Sequence, residues 1–416
     1  MKTPGKISLF LIISAVFLFP FYFFRFDILG IPTNIFEIAV ALSVLSIFYF
    51  VFSAKRKLKF GPLWPYFILL AAFLSVFLSI DEATALGIFK GWFAIPFLLY
   101  FSIINIFTEK NISKLIFPLY ISSLLVALWT VAQKASIVGT LFYQKGDNTF
   151  GQYLEQGRTF GPFESPNFLA MFLVPAFFLS IIIWPLLVSK FVKICFLVSL
   201  ALPLTALYFS QSKAGILALV FSVIFAILII IRGRADNSRS KASFKTKSIF
   251  LLPILASIIF AFLAYTKIDL NSGSNNVRKE IYSYSWQMAG GSPIKGIGLG
   301  SFQDEIASLS STNESFKLYG LPYALHPHNI FLAFWLYLGA LGILAFLSVL
   351  AWYYCNLFKI KDYFVKALLF AGMTAVLIHG LFDTTYFKND LSALFWLLLA
   401  LTFIYRKDDG KDLAKS

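Results

Sequence analysis

Apolar stretches close to 20 residues long follow one another along almost the whole chain, with polar breaks between them. Crossing a hydrocarbon core takes roughly 20 apolar residues of α-helix. The stretches lie at 7–24, 35–52, 63–80, 88–107, 115–138, 167–189, 191–209, 214–231, 248–266, 329–354, 364–381 and 391–405. They predict an all-α polytopic membrane protein with about twelve transmembrane helices. The alternation over about ten residues that marks an outer-membrane barrel strand is weak. The first stretch is longer than a typical signal h-region and no A-x-A site follows it. It therefore reads as a membrane helix and not as a cleaved leader.

Two of the polar breaks are long, and they divide the chain. Helices one to five occupy 1–138, a first large loop 139–166, and helices six to nine 167–266. A second large loop, 267–327, precedes helix ten; helices ten to twelve span 328–405, and a tail covers 406–416. Counted on alternate sides, roughly two thirds of the 35 Lys and Arg residues share a side with both termini. That side includes the clusters Lys55–Lys59 and Arg232–Lys247, the second Ser-rich and read as a flexible tether. Positive charge collects on the cytoplasmic side, so both termini are expected inside and both long loops outside. Loops carry function, which puts the chemistry outside as well. No convincing internal repeat is visible, which weakens a transporter built from inverted halves.

Composition narrows the classes further. Charged residues make up 13% and hydrophobic ones 59%, against about 25% charged in a soluble domain. Soluble enzymes, nucleic-acid binders and disordered chains are excluded. The net charge of +15 is mostly the topology signal already used, so no nucleic-acid partner is expected. Cys195 and Cys355 fall near expected cytoplasmic helix ends and give no disulfide framework.

The candidate chemistry gathers on the outer side. His326 and His328 belong to Leu325-His326-Pro327-His328-Asn329 at the start of the tenth stretch, and His379 ends the eleventh. The residue before proline avoids the α region, and Pro327 suits a first helical position. His326 is thus expected outside the helix and His328 in its first turn, where the positive end of the helix dipole disfavours imidazolium. A neutral imidazole beside a cavity is a general base. An interfacial histidine over an ordinary small-residue seam is the other reading. In a continuous helix Gly339 would lie about three turns below His328 on the same face, with Gly342 one turn deeper. His379 and Asp383, at i and i+4, either pair with each other or leave Asp383 to orient another residue.

Three cations join the histidines: Lys213 in the short turn Ser210-Gln211-Ser212-Lys213-Ala214-Gly215, Arg278 at the start of an amphipathic stretch, and Arg158 before Ser165-Pro166-Asn167. Such groups bind phosphate, Arg with a fork and Lys as a point charge. Snorkelling to lipid headgroups competes, and suits Lys267 and Lys295 better. Lys295-Gly296-Ile297-Gly298-Leu299-Gly300 has no preceding strand and reads as a turn instead of a nucleotide fingerprint. GxxxxGK[ST], DxD and HExxH are all missing from the sequence. On a helix His326 and His328 would diverge by about 200°. Neither cofactor nor metal is expected.

These residues carry a resemblance. His328-Asn329, nine residues, then Gly339-x-x-Gly342 resembles the H-[NSQ]-x9-G-x-x-G pattern of the O-antigen ligase and O-antigen polymerase superfamily. Arg158-Thr159-Phe160-Gly161 before Ser165-Pro166-Asn167 looks like that family's first large-loop motif. Pro293-x-x-Gly296-Ile297-Gly298-Leu299-Gly300-Ser301-Phe302 is similar to its glycine segment. The likeness covers roughly 150–390. It implies a GT-C-like fold and an inverting, metal-independent glycosyltransferase of the plasma (inner) membrane. The implied donor is an undecaprenyl-pyrophosphate-linked glycan at the outer face, and the implied acceptor a lipid, glycan or protein hydroxyl, with membrane lipids around. The resemblance makes His328 the catalytic histidine, with Arg278, Lys213 and Arg158 on the donor pyrophosphate. Asp383, Asn329 and His326 would support them, and Gly339 and Gly342 would pack helices. Where the family has Ser-Arg-Gly this chain has Ser-Lys-Ala-Gly, which keeps the charge and loses the fork.

A polymerase or a protein O-oligosaccharyltransferase of the same superfamily fits the same motifs. A transporter fits less well, because ionisable residues sit mainly at the ends of stretches. Were a divalent cation required, Asp81, Glu82 and Asp383 would be the acidic residues to weigh. The topology has a direct test. A cysteine introduced at Asn275 should label from outside sealed cells, and one at Ser238 should not; labelling at Ser238 would invert the orientation.

Overall fold

In a computed structural model, residues 3–28, 30–54, 57–139, 154, 156–236, 274–310 and 326–406 are described. Among them eight helices are long and apolar enough to cross a membrane. In chain order the helices are α1 (Thr3–Phe17), α2 (Ile35–Ala54), α3 (Trp64–Val76), α4 (Glu82–Phe89) and α5 (Ile95–Ile106). Then come α6 (Ser113–Lys134), α7 (Pro166–Ile181), α8 (Lys190–Ser199), α9 (Ala201–Ser210) and α10 (Lys213–Asp236). The series closes with α11 (Ser274–Gly291), α12 (Phe302–Ser310), α13 (Ile330–Lys359), α14 (Tyr363–Gly380) and α15 (Asn389–Tyr405). The expected stretch at 248–266 lies outside the described residues, as do 140–153 of the first long loop and 267–273 and 311–325 of the second.

The chain is an all-α polytopic membrane protein with one small exception among the described residues. Strands β1 (Arg25–Ile28) and β2 (Ile31–Asn34) pair antiparallel between α1 and α2. Several helices are shorter than their apolar stretches, α1 and α3 among them. Pro20 stands in the tight turn Phe19–Phe21, where its missing N–H cannot continue the α1 ladder, so α1 stops at Phe17. Helix α3 stops at Val76, before Ser79. Between α4 and α5 the chain widens into a π turn, Lys90–Ala94, with the Ile95 N–H donating to the Lys90 carbonyl. Pro96 follows at once, and the wider turn makes room for its ring against the preceding backbone.

The centre of the bundle is α15, buried at every position from Asn389 to Thr402. It packs on α5, while α14 packs on α7 and α10. These central helices can be apolar all round because protein and lipid are equally apolar surroundings.

Helix α13 departs most from expectation. It is not one straight helix: Gly339 has φ 65° and ψ −163°. The Phe334 ring stacks on Phe346 at 4.1 Å, and Phe331 lies 5.7 Å from the same ring. A straight helix would hold Phe334 and Phe346 about 18 Å apart. The chain therefore folds back at Gly339, and Gly339 does not lie below His328 on one helical face. Partners outside the helix satisfy the backbone groups freed at the break. Ala340 N–H donates to the Ile294 carbonyl at 3.1 Å, and Ile297 N–H donates to the Leu336 carbonyl at 2.8 Å. Ser75 Oγ donates to the Tyr337 carbonyl at 2.7 Å. The glycine-rich segment, expected as a turn, is what plugs the break.

A side chain at 339 would both strain the backbone and place Cβ 2.1 Å from the Ile294 oxygen. Gly339→Ala should therefore destabilise the protein by about 1–3 kcal/mol, read as a lower melting temperature in detergent. An unchanged melting temperature would mean that the reversal does not depend on glycine.

Candidate active site

Asn329 caps α13. Its side-chain oxygen accepts from the Phe331 and Leu332 N–H groups, both at 3.0 Å. Asparagine is a strong N-cap, and it sets the helix start at Ile330, two residues beyond His328. The expectation that Pro327 and His328 open the helix is thus corrected. His328 is outside, with φ 52° in the left-handed region that non-glycine residues seldom occupy. The expected divergence of the two histidines fails for the same reason. With neither on a helix, their ring centroids lie 4.3 Å apart.

Both rings turn to one carboxylate. Asp383 Oδ1 is 3.3 Å from His328 Nδ1 and 3.4 Å from His326 Nδ1. The same oxygen accepts from the Thr384 N–H at 2.9 Å, and Oδ2 accepts from Asn167 Nδ2 at 3.1 Å. Asn167 Oδ1 in turn accepts from Ser212 Oγ at 2.9 Å. The chain His328–Asp383–Asn167–Ser212 thus reaches the turn that ends in Lys213. Arg158 Nε donates to the Ser210 carbonyl at 3.1 Å, so Arg158 and Lys213 share that turn. From the other side Tyr282, one turn along α11 from Arg278, donates to the His328 carbonyl at 2.8 Å. Asn329 Nδ2 donates to the Leu381 carbonyl, two residues before Asp383.

Asp383 does not pair with His379. Helix α14 ends at Gly380, so Asp383 is off the helix, and among the described residues neither ring nitrogen of buried His379 has a hydrogen-bond partner. Asp383 is in contact with His328 and Asn167 instead. Asp81 is occupied elsewhere, capping α4 through the Ala83 and Thr84 N–H groups. Gly339 and Gly342 serve the reversal of α13, where a Gly342 Cβ would lie 2.9 Å from the Phe334 carbonyl oxygen.

Electrostatics fixes the roles. Burial pushes the Asp383 carboxyl up, but the charges of His326 and His328, the His328 hydrogen bond and the Arg278 charge outweigh it. Asp383 is held well below the ordinary carboxylate range and stays ionised. Burial, the His328 charge and the Arg278 charge together lower His326 to about 3, with the attraction of Asp383 offsetting only part. An ionised acceptor at Nδ1 puts the His328 proton there and leaves Nε2 as the basic nitrogen. A carboxylate that holds an imidazole in one tautomer is an arrangement for general-base work. The same trio is also the group of His and acid donors able to hold a metal ion, their atoms lying within 4.8 Å of one another.

Sequence reasoning missed Asn167, Ser212 and Tyr282 as site residues. Asn167 was visible in a motif, but its contact with Asp383 spans 216 positions and left no local signal.

The fold and site define a polytopic membrane protein with a buried carboxylate holding two histidines beside a cationic turn. The family model described as O-antigen ligase matches residues 198–347. The match supports membership of the O-antigen ligase and polymerase superfamily, and with it a membrane enzyme of that type. It includes the Lys213 turn, Arg278, the glycine segment, both histidines and the α13 reversal, and ends before Asp383. Comparison with the curated proteins finds no match.

The low value for His326 has a stability consequence. An unfolded histidine takes up a proton below about 6.5, whereas folded His326 resists until about 3. The unfolded state binds more protons in that window, so stability should fall as pH drops from 6.5 toward 3. His326→Gln should flatten that dependence in melting curves. An identical slope in the variant would remove His326 as its source.

Proposed function

We propose that this protein is an inverting glycosyltransferase acting at the outer face of the plasma membrane. It moves a glycan from an undecaprenyl-pyrophosphate-linked donor to an acceptor hydroxyl, in the manner of an O-antigen ligase. The observation that carries this reading is the Asp383 carboxylate on His328 Nδ1. His328 Nε2 takes the proton of the acceptor hydroxyl as its oxygen attacks the anomeric carbon. The bond from that carbon to the diphosphate oxygen breaks, and undecaprenyl pyrophosphate leaves with the electron pair. Arg278, Lys213 and Arg158 neutralise the leaving charge. Asn167 and Asp383 keep the imidazole aimed, and the left-handed backbone of His328, tied by Tyr282 and Asn329, keeps it outside the helix.

Cations on the chain make a metal unnecessary in this mechanism. A reaction without nucleotide sugars suits the outer face, where an activated donor has to arrive on a lipid. A polymerase of the same superfamily would use the same site on a growing glycan, and a protein O-oligosaccharyltransferase on a protein hydroxyl. Product size from one purified donor separates these acceptors.

In a reconstituted assay His328→Ala should lower turnover by about 10²–10⁴ while donor binding persists. His326→Ala should lose much less, because His326 Nδ1 lacks a hydrogen-bond partner where His328 Nδ1 has one. Arg278→Ala should weaken donor engagement by about 1.5–3 kcal/mol, the worth of a charged hydrogen bond, and Lys213→Arg should keep activity. EDTA should leave the rate unchanged. Loss on chelation with recovery on Mg²⁺ or Mn²⁺ would recast His326, His328 and Asp383 as cation ligands.

A further inference from the structure

The segments that carry Asn167 and Asp383 touch twice. The first contact is the Asn167–Asp383 hydrogen bond at 3.1 Å. In the second, Lys388 Nζ is ion-paired with Glu164 Oε2. Glu164 precedes Asn167 by three residues, just before α7 begins, and Lys388 closes the loop that Asp383 opens. Segments 164–167 and 383–388 therefore form a ladder with a rung at each end.

The second rung is not a solvated surface bridge. Lys388 is 9% exposed, and the Glu164 side chain is partly shielded at 24%. Its ammonium lies 3.9 Å from the centre of the Phe168 ring and 4.8 Å from that of Tyr22. Tyr22 OH donates to the same Glu164 oxygen at 2.8 Å. The next residue, Asn389, is held by Glu37 Oε1 at 3.1 Å, and Glu37 is paired with Lys90 at 2.8 Å. Gly91 lies against Asn389 with no room for a side chain, its Cβ position 2.9 Å from Asn389 Nδ2. The loop that starts at Asp383 is thus anchored at its far end by residues of the N-terminal helices, all outside the segment matched by the family model.

A buried ion pair adds little stability over a well-packed apolar pair, because desolvation offsets the attraction. What it adds is register: a charge in a low-dielectric site has one acceptable partner position. We infer that Glu164 and Lys388 are a positioning pair that sets the Asn167–Asp383 contact and through it the aim of His328. This rests on His328 being the base of the proposed reaction. Lys388 is not a further pyrophosphate ligand, because its ammonium is already engaged by Glu164 and Tyr22.

The stability argument supplies the test. To Glu164→Leu with Lys388→Met is added Asp390→Asn, because Asp390 is fully buried beside Lys388 and would otherwise keep a charge without its cation; melting temperature should then match wild type. The kcat should nevertheless fall by about ten- to a hundredfold, the effect of a small misplacement of a reacting group, with KM for the lipid-linked donor within about twofold. The conservative exchange Glu164→Asp with Lys388→Arg, which keeps the sign of each charge, should retain most of kcat. Unchanged kcat at unchanged melting temperature would overturn the inference. So would a change in KM alone, which would make Lys388 a donor ligand, or a kcat loss that follows the melting temperature. Acylation of His328 by diethyl pyrocarbonate, followed by mass spectrometry, reads the same question without turnover. The triple variant should change the rate at His328 and leave His379 as it is; equal rates at His328 would refute the positioning role even if wild type proved inactive in transfer.

Discussion

A single buried carboxylate organises this molecule. Asp383 is almost wholly shielded from water, and a bare charge there would be very costly. It persists as an anion because two imidazoles, an amide, a backbone N–H and the field of Arg278 all favour its charged form. Those partners come from four parts of the chain. Satisfying the carboxylate therefore requires the start of α7, the loop after α14, the segment before α13 and helix α11 to meet at one place. The site is assembled by the need to keep one negative charge solvated by protein.

The reversal at Gly339 makes that meeting possible. A straight α13 would be about 45 Å long, far beyond its antiparallel neighbour α14. Folding back lets the top of α13 pack on its own lower half through Phe334 and Phe346, and brings Ile330 against Gly380. The Asn329 cap and the His328 carbonyl then sit within reach of the Leu381 and Tyr282 groups that lead to Asp383. The break in the helix and the aim of the histidine are parts of one construction. The glycine segment after α11 supplies the hydrogen bonds that the break would otherwise leave open.

Much of this was legible in the sequence, and the rest was hidden for physical reasons. Hydrophobic length marks membrane helices wherever they lie, so the expected stretches on described residues coincide with helices, some with shorter ends. His328, Asp383 and Lys213 stand out because ionisable groups near a membrane are few. Sequence periodicity assumes a continuous helix, and that assumption failed at Gly339, where a left-handed glycine inside an apolar run looks like any small residue. Pro327 suggested a helix start that Asn329 pre-empts by capping. The Asn167 partner of Asp383 and the Glu164 partner of Lys388 lie more than 200 positions away, and no local pattern announces a contact of that span. The first five helices looked like topology alone, yet Glu37, Lys90 and Tyr22 hold the far end of the Asp383 loop.

The central claim is that one oriented base delivers an acceptor hydroxyl to the donor carbon in a single displacement. Its stereochemistry is the most direct reading. Purified protein in liposomes, given one lipid-linked glycan of known anomeric configuration and a hydroxyl acceptor, should yield a product whose new linkage has the opposite configuration by NMR coupling constants. A product that retains the donor configuration would require two displacements through a covalent glycosyl-enzyme, and the His328–Asp383 base mechanism would be wrong.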